Sequence, residues 1–237
     1  MYLSIIIPVL NEVEKISDDI IFLSDYLTHN NIKGEIIISD DGSTDGTLEI
    51  ANETSSIENI RLITLKENNH HGKGHAVRKG IIQSKGENIL IIDSGKTITL
   101  DYINKGVDMI RNNKYQIILG SRHLPESIIH KQLVWYRRLA SIIFRTYTKL
   151  LFPSIWRFSD TQCGFKIYDG IIARQLFGIG KIDGFLFEIE ILRLAKEMHI
   201  SIMEMPIEWT CDRDSRLSLI PTIWEVFRDS WKLKFFS

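Results

Sequence analysis

Through its first half the chain alternates two kinds of hydrophobic pattern. Leu3 to Val9, Glu35 to Ser39, Ile60 to Leu65, Asn88 to Ile92 and Gln116 to Leu119 are short, almost continuously apolar and rich in isoleucine. Runs of that kind predict strands buried on both faces, as in a parallel sheet covered by helices. Between them, Glu12 to Leu27, Thr47 to Glu53, His75 to Ser84 and Leu100 to Arg111 carry apolar residues at helical spacing. Regular alternation of the two predicts an α/β sandwich around a largely parallel sheet. No repeat, low-complexity tract or linker rich in Pro, Gly or Ser interrupts the chain, so the expectation is one domain over residues 1–237.

After residue 125 the pattern changes. Leu133 to Phe152 predicts a long amphipathic helix, and Lys131, Arg138, Arg145 and Lys149 follow at intervals of seven, seven and four, on one stripe. The last segment repeats the theme: Ile220, Ile223, Trp224, Phe227, Trp231 and Phe235 share a helical face, and Pro221 suits a first turn. Two readings stand for the stretches 127–159 and 217–237. They pack on their own domain, or they lie in a lipid headgroup layer, which tryptophan and lysine together favour.

Charge sharpens this contrast. The 29 Lys and Arg against 30 Asp and Glu give a net charge of −1, which argues against a nucleic-acid partner. Locally the balance is lost: no acidic residue falls between Ser127 and Ser159, where Lys131, Arg137, Arg138, Arg145, Lys149 and Arg157 all lie. Such a run is either a solvated helix face or a patch for anions or a membrane surface. Cys163 and Cys211 lack metal-ligand spacing and read as free thiols of a reducing compartment. Met1-Tyr2-Leu3-Ser4 has no signal-peptide character, and no uncharged apolar run reaches about 18 residues. The expected location is cytoplasmic, peripheral on the cytoplasmic face of a membrane.

The candidate chemistry lies where strands end. Asp40-Asp41-Gly42-Ser43 follows a buried strand directly, the place where open α/β sheets bind ligands. A carboxylate there accepts from a base or from ribose hydroxyls; alternatively it caps the helix that starts at Thr47. Two consecutive acids exceed what one cap requires. Downstream, Asp160-Thr161-Gln162-Cys163-Gly164-Phe165-Lys166 gathers a carboxylate, a glycine and a cation. The pair His70-His71 offers imidazoles, although adjacent histidines seldom face one point.

Ser4-Ile5-Ile6-Ile7-Pro8-Val9-Leu10-Asn11-Glu12, followed by Ile38-Ser39-Asp40-Asp41-Gly42-Ser43-Thr44-Asp45-Gly46-Thr47, resembles the opening of the inverting family 2 glycosyltransferases. These have the GT-A fold, a Rossmann-like, mostly parallel sheet sandwiched by helices. His71-Gly72-Lys73-Gly74-His75, Gly120-Ser121-Arg122 and the heptad from Asp160 to Lys166 are similar to the dolichyl-phosphate glucosyltransferase branch, related to the dolichyl-phosphate mannose synthases. The resemblance runs from about residue 3 to the C-terminus. It implies that Pro8, Glu12, Asp40 and Asp41 line a nucleotide pocket and that Gly72-Lys73-Gly74 lets backbone approach the donor, with Lys73 near phosphate. It further implies that Arg122 and Arg138 hold an acceptor phosphate, Asp160 faces the donor sugar, and Glu188 or Glu190 orients an arginine.

One motif departs from the family. The branch carries Asp-x-Asp for Mg²⁺ or Mn²⁺, but here Ile91-Ile92-Asp93-Ser94-Gly95-Lys96 has glycine in place of the second acid. Three arrangements compete: metal held by Asp93 with another group, Lys96 neutralising the leaving diphosphate in its stead, or a degenerate donor site. One carboxylate with phosphates and water suffices for Mg²⁺.

The implied reaction is inverting transfer of a hexose, glucose by preference, from a nucleotide diphosphate to a polyprenyl or dolichyl phosphate. UDP-glucose is the preferred donor and GDP-mannose the second. The competing functions are transfer to a sugar hydroxyl in polysaccharide or glycolipid assembly, which would need Asp160 or Glu188 as base, and non-catalytic nucleotide-sugar binding. A nucleotidyltransferase would need a glycine-rich loop where Pro8-Val9-Leu10-Asn11-Glu12 stands.

Overall fold

A computed structural model describes residues 2–54, 61–112, 114–131, 134–211 and 219–235, with side chains in the last segment from Trp224 onward. In chain order the elements are β1 (Tyr2–Val9), α1 (Ile16–His29), β2 (Lys33–Asp40), α2 (Thr47–Glu53), β3 (Arg61–Leu65), α3 (Lys73–Gln83), β4 (Asn88–Ile92), α4 (Asp101–Arg111) and β5 (Ile117–Ser121). There follow β6 (Ile128–Lys131), α5 (Trp135–Leu151), β7 (Phe165–Asp169), α6 (Gly170–Ile179), α7 (Phe187–Glu197), β8 (Ile202–Pro206), β9 (Glu208–Thr210) and α8 (Leu219–Phe235).

Seven strands form one sheet in the order β3-β2-β1-β4-β7-β5-β8, and β6 pairs with β9 in a small second sheet. Pairings in the large sheet are parallel, except that β7 runs antiparallel to β4 and β5. The apolar runs are buried on both faces because the side-chain period of a strand is two. In β1, Ile5 and Ile7 join the core under α1 and α4, while Ile6 joins the core under α3, α6 and α7. The expected α/β class and mostly parallel sheet are therefore present.

The parallel strands β1, β2, β4 and β5 all end at one edge of the sheet. Chain order jumps there, from β3 back across the sheet to β4, which opens a crevice between β1 and β4. Because β7 runs the other way, it begins at that same edge, and the Asp93 N–H donates to the Gly164 carbonyl at 3.2 Å. This reversed strand brings the heptad beside the ends of β4 and β5.

Several expectations are corrected. The stretch 127–159 is not one helix: β6 takes Ile128–Lys131, so Lys131 lies off the α5 stripe, and Pro153–Ile155 form a separate 3₁₀ turn. The first helix starts at Ile16 rather than Glu12, whose carbonyl accepts from the N–H groups of Lys15 and Ile16. The helix expected from His75 starts two residues earlier, at Lys73. Ile60, Leu133 and the start of the 217–237 stretch lie outside the described residues. Strands β6 to β9 and helix α6 were not among the elements expected, β6 and β9 because they are only four and three residues long.

Helices α5 and α8 invert the usual amphipathic arrangement. In α8 the inward residues are Val226, Asp229, Ser230 and Leu233, while Trp224, Phe227, Trp231 and Phe235 are exposed. On α5 only Thr148 is fully buried, and Trp135, Leu139, Ile142, Ile143 and Leu150 face outward. Tyr147 of α5 meets Phe227 of α8 edge to face, with ring centroids 5.3 Å apart, so the two apolar faces adjoin. Among the described residues, no helix is long and apolar enough to cross a membrane.

Candidate active site

The site is built from the loops that leave the C-terminal ends of β1, β2, β4 and β5. The β1 and β2 loops clasp each other: Asn11 N–H donates to Ser43 Oγ at 2.7 Å, and Glu12 N–H to Thr47 Oγ1 at 2.9 Å. Asn11 sits at φ 56°, a left-handed conformation that asparagine tolerates better than most residues. This fixes Pro8 and Glu12 close to the paired acids, and Glu12 also meets Lys15 at 3.1 Å.

Both acids of the pair already have protein partners. Asp40 is fully buried and accepts from the N–H groups of Gly42 and Ser43, at 3.3 Å and 3.1 Å. Asp41 accepts from the His71 and Gly72 N–H groups at 2.9 Å and 2.8 Å, and His70 Nδ1 lies 2.7 Å from it. Asp40 is thus a turn former, and Asp41 anchors the 70–72 loop beneath an exposed imidazole. The glycines flanking Lys73 are also needed for packing. A Cβ at Gly72 would lie 2.5 Å from the Asp183 carbonyl oxygen, and one at Gly74 would lie 2.6 Å from that of Ile182. They let the start of α3 press against residues 182–187, and this close packing aims Lys73 at the end of β4.

Lys73 Nζ lies 2.8 Å from Asp93 Oδ1. Burial by itself would raise the Asp93 carboxyl, but Lys73, Lys166 and Arg122 together hold it below its ordinary value. Burial likewise opposes the charge on Lys73, and Asp93 and Glu188 outweigh it, so its pKa is raised. The loop after Asp93 turns away onto α1. Asp19 accepts from Ser94 Oγ at 2.5 Å and from the Gly95 N–H at 3.0 Å, with Gly95 at φ 100°. Lys96 follows it outward, to Asp18 at 3.1 Å and over the Phe22 ring. The structure therefore places Lys96 in a surface pair with α1.

Arg122, just past β5, grips Asp160 through Nε at 2.6 Å and Nη2 at 2.9 Å, and its backbone N–H bonds the same carboxylate at 3.1 Å. Its guanidinium lies over Trp209, 5.3 Å from the ring centroid. Burial would raise the Asp160 carboxyl, but Arg122 overrides this and brings it down to about 2. Both Asp160 oxygens accept from Arg122, so whatever Asp160 faces in a complex it meets as part of that ion pair. Glu204 on β8 fixes this turn by accepting from the Ser159 and Asp160 N–H groups at 2.8 Å and 3.0 Å. Arg138 is not gathered here. It is exposed near the start of α5, whereas the α5 cation felt by the site is Arg145, which acts with burial and Arg122 to lower the His123 pKa.

Sequence reasoning missed the role of Lys166. This lysine on β7 is almost wholly buried, bonds Glu188 of α7, and donates to the Cys163 carbonyl at 2.5 Å. The signal was a lysine inside the apolar run Phe165 to Tyr168, since lysine is almost never fully buried unless paired. Glu188 has its pKa raised, chiefly by burial; Glu190, its neighbour, accepts from the Lys181 and Ile182 N–H groups instead of orienting an arginine. Burial also pushes the Cys163 thiol up to about 11, which keeps it inert beside this cluster.

The cluster is neutral as it stands, with Lys73, Lys166 and Arg122 matched by Asp93, Glu188 and Asp160. Anions that enter it need added positive charge. Asp93, whose side chain is 40% exposed and ionised, fits a hard cation that takes its other oxygens from phosphates and water. The second acid is absent and the Gly95 amide is tied to Asp19, so the loop offers that cation one carboxylate. Gly164 guards this geometry, since a Cβ there would lie 1.9 Å from Asp93 Oδ2. Gly164→Ala is expected to swing the Asp93 side chain off Lys73 and lower turnover by roughly tenfold or more, about 1.4 kcal/mol per decade. The melting temperature should stay within a few degrees, so a stability loss without a rate loss would count against this placement.

Residues 4–171 match the family described as Glycosyl transferase family 2. The chain is 33% identical to the dolichyl-phosphate beta-glucosyltransferase of Dictyostelium discoideum, over 99% of this chain and 74% of that protein. It is 30% identical to the enzymes of that name from Saccharomyces cerevisiae, over 92% of this chain and 70% of that protein, and Homo sapiens, over 91% and 69%. The chain belongs to the family 2 glycosyltransferases and is an enzyme of that class. In fold it is similar to glucosyl-3-phosphoglycerate synthase of Mycobacterium tuberculosis, with a TM-score of 0.71 at 16% identity, covering 98% of this chain and 80% of that one. Mannosyl-3-phosphoglycerate synthase of Rubrobacter xylanophilus gives a TM-score of 0.72 at 17% identity, covering 98% and 74%. The fold is GT-A. A complex of the mycobacterial enzyme contains Mn²⁺, UDP and glucosyl-3-phosphoglycerate.

Proposed function

We propose that the protein transfers glucose from UDP-glucose to a polyprenyl or dolichyl phosphate, by a single in-line displacement that inverts the anomeric carbon. The observation that carries this reading is the 33% identity, across nearly the whole chain, to an enzyme named for that reaction. The state of the acids supports it. A phosphate monoester, with its second pKa near 6, is already nucleophilic and needs no strong base. Asp160 is a poor base at about 2, and Glu188 is closed in a pair with Lys166, so the site is better equipped for such an acceptor than for a sugar hydroxyl.

In this reading Asp93 would hold Mg²⁺ or Mn²⁺, which would supply charge neutralisation to the leaving diphosphate. Lys73, paired with Asp93 at 2.8 Å, would be the cation placed to reach a phosphate oxygen of the donor. Arg122 meets the acceptor through Nη1, which lies outside the Asp160 pair, while Asp160 and Trp209 hold its plane still. Positioning and charge stabilisation are then the whole of catalysis. Pro8, Glu12 and Asp41 frame the nucleotide, with His70 yielding its place over Asp41 to the base.

The joined apolar faces of α5 and α8 hold the enzyme on the membrane surface where its acceptor resides, with Arg138, Lys149, Lys232 and Lys234 near lipid phosphates. The test is incubation of the purified protein with UDP-glucose, GDP-mannose and polyprenyl phosphate. Glucosyl lipid should form from UDP-glucose, stop with EDTA and return with Mn²⁺. Transfer only to a lipid-free sugar acceptor would overturn the assignment. Trp224→Glu with Trp231→Glu should cut sedimentation with anionic vesicles by at least about tenfold; unchanged sedimentation would remove α8 from the membrane contact.

A further inference from the structure

Beside the Asp41 anchor, Glu67, His71 and His75 bring one ligand atom each within 4.8 Å of one another. The adjacent histidines diverge, as the sequence suggested. His70 turns to Asp41, while His71 stacks on His75 with ring centroids 4.5 Å apart. Glu67 and His71 lie in the loop between β3 and α3, and His75 sits in the first turn of α3, so the convergence comes from the path of that loop.

We propose that Glu67, His71 and His75 form a binding site for a divalent transition ion of zinc's chemistry, separate from the hard-cation site at Asp93. His75 Nε2 lies 3.3 Å from Glu67 Oε1. Two ligand atoms about 2.0–2.1 Å from a tetrahedral Zn²⁺ lie roughly 3.3 Å apart, so this edge needs no rearrangement. The other nitrogen of His75, Nδ1, faces Asp183 at 3.6 Å, and Asp183 is held by Arg78. A carboxylate behind a ligating imidazole is the usual outer support of such a site, because it fixes the ring and its tautomer. The imidazoles select zinc, cobalt, nickel or copper over the Mg²⁺ or Mn²⁺ that suits Asp93. Lys79 competes, since its Nζ lies 2.6 Å from the same Glu67 oxygen. A bound ion displaces it, and it weakens the site accordingly. Because the His71 and Gly72 N–H groups anchor to Asp41, filling the site would stiffen the loop beside the nucleotide pocket.

The site stands independently of which sugar or acceptor the enzyme uses, and its test needs no turnover. Tag-free protein would be titrated calorimetrically with Zn²⁺ alone. About one equivalent should bind wild type and Asp93→Asn alike, His71→Gln with His75→Gln should weaken binding at least tenfold, and Lys79→Met should tighten it. Glu67→Gln provides a second ligand deletion if the double variant fails to fold. The proposal is overturned if wild type binds no Zn²⁺, if deleting the ligands leaves the affinity unchanged, or if Asp93→Asn abolishes binding.

Discussion

Replacing Asp93 by asparagine is expected to lower kcat for glucosyl transfer by about a hundred- to a thousandfold, the range found when one preorganised electrostatic contact to a developing charge is removed. Asp93 is the carboxylate that the 93–96 loop offers a cation, and asparagine keeps its shape while removing its charge. Stability should change little, because Asp93 is 40% exposed and Lys73 keeps the favourable charge of Glu188. Initial rates with UDP-glucose and polyprenyl phosphate, beside a thermal melt, would measure both quantities. Lys96→Ala is the paired control. Since Lys96 lies on Asp18 at the surface, its loss should cost less than about threefold. A severe defect in Lys96→Ala with an active Asp93→Asn would reverse the roles and make the lysine the neutralising group.

Arg122→Ala should cost both folding and transfer. The guanidinium is 20% exposed and the Asp160 side chain only 2%, so truncating one partner leaves a buried carboxylate uncompensated. Breaking such a pair typically destabilises by about 3–5 kcal/mol. Arg122→Met combined with Asp160→Asn should recover part of that stability, since both charges go together, yet remain inactive. Urea midpoints with transfer rates separate the two effects, and a stable, inactive Arg122→Ala would mean that the pair contributes nothing to folding. The pH dependence follows from the depressed carboxyl. An ionised Asp160 stabilises the folded state above its unfolded value near 3.9, and that contribution is lost as pH falls toward about 2. The stability gap between wild type and Asp160→Asn should therefore narrow through that window and stay constant above it.

The strands were legible because Ile-rich runs buried on both faces have no other stable home, and β1, β2 and β4 lie where those runs lie. Asp93 and Arg122 were legible through motifs placed at strand ends, and Lys73 through its flanking glycines. Their partners were not. Nothing in local pattern says that Asp160 will meet Arg122 across 38 residues, or that Lys166 will find Glu188 across 22. Nor does the sequence show that Asp40 and Asp41 spend their oxygens on backbone N–H groups, since an unpaired acid and a turn former read alike. The influence of Arg145 on His123 was likewise illegible, since nothing in the helical stripe of α5 says which of its cations meets the loop after β5.

By itself the sequence determined the α/β class, the strand ends that carry chemistry, the missing second acid at Gly95 and the cationic, acid-free stretch after Ser127. These are properties of composition and period, which need no knowledge of distant neighbours. Tertiary structure decided the rest: the reversal of β7 that brings the heptad to the ends of β4 and β5, the pairing that leaves the six charges balanced, and the outward turn of the aromatic face of α8. Each depends on which segments meet across the fold, and a contact between residues far apart in the chain leaves no periodic trace in either partner.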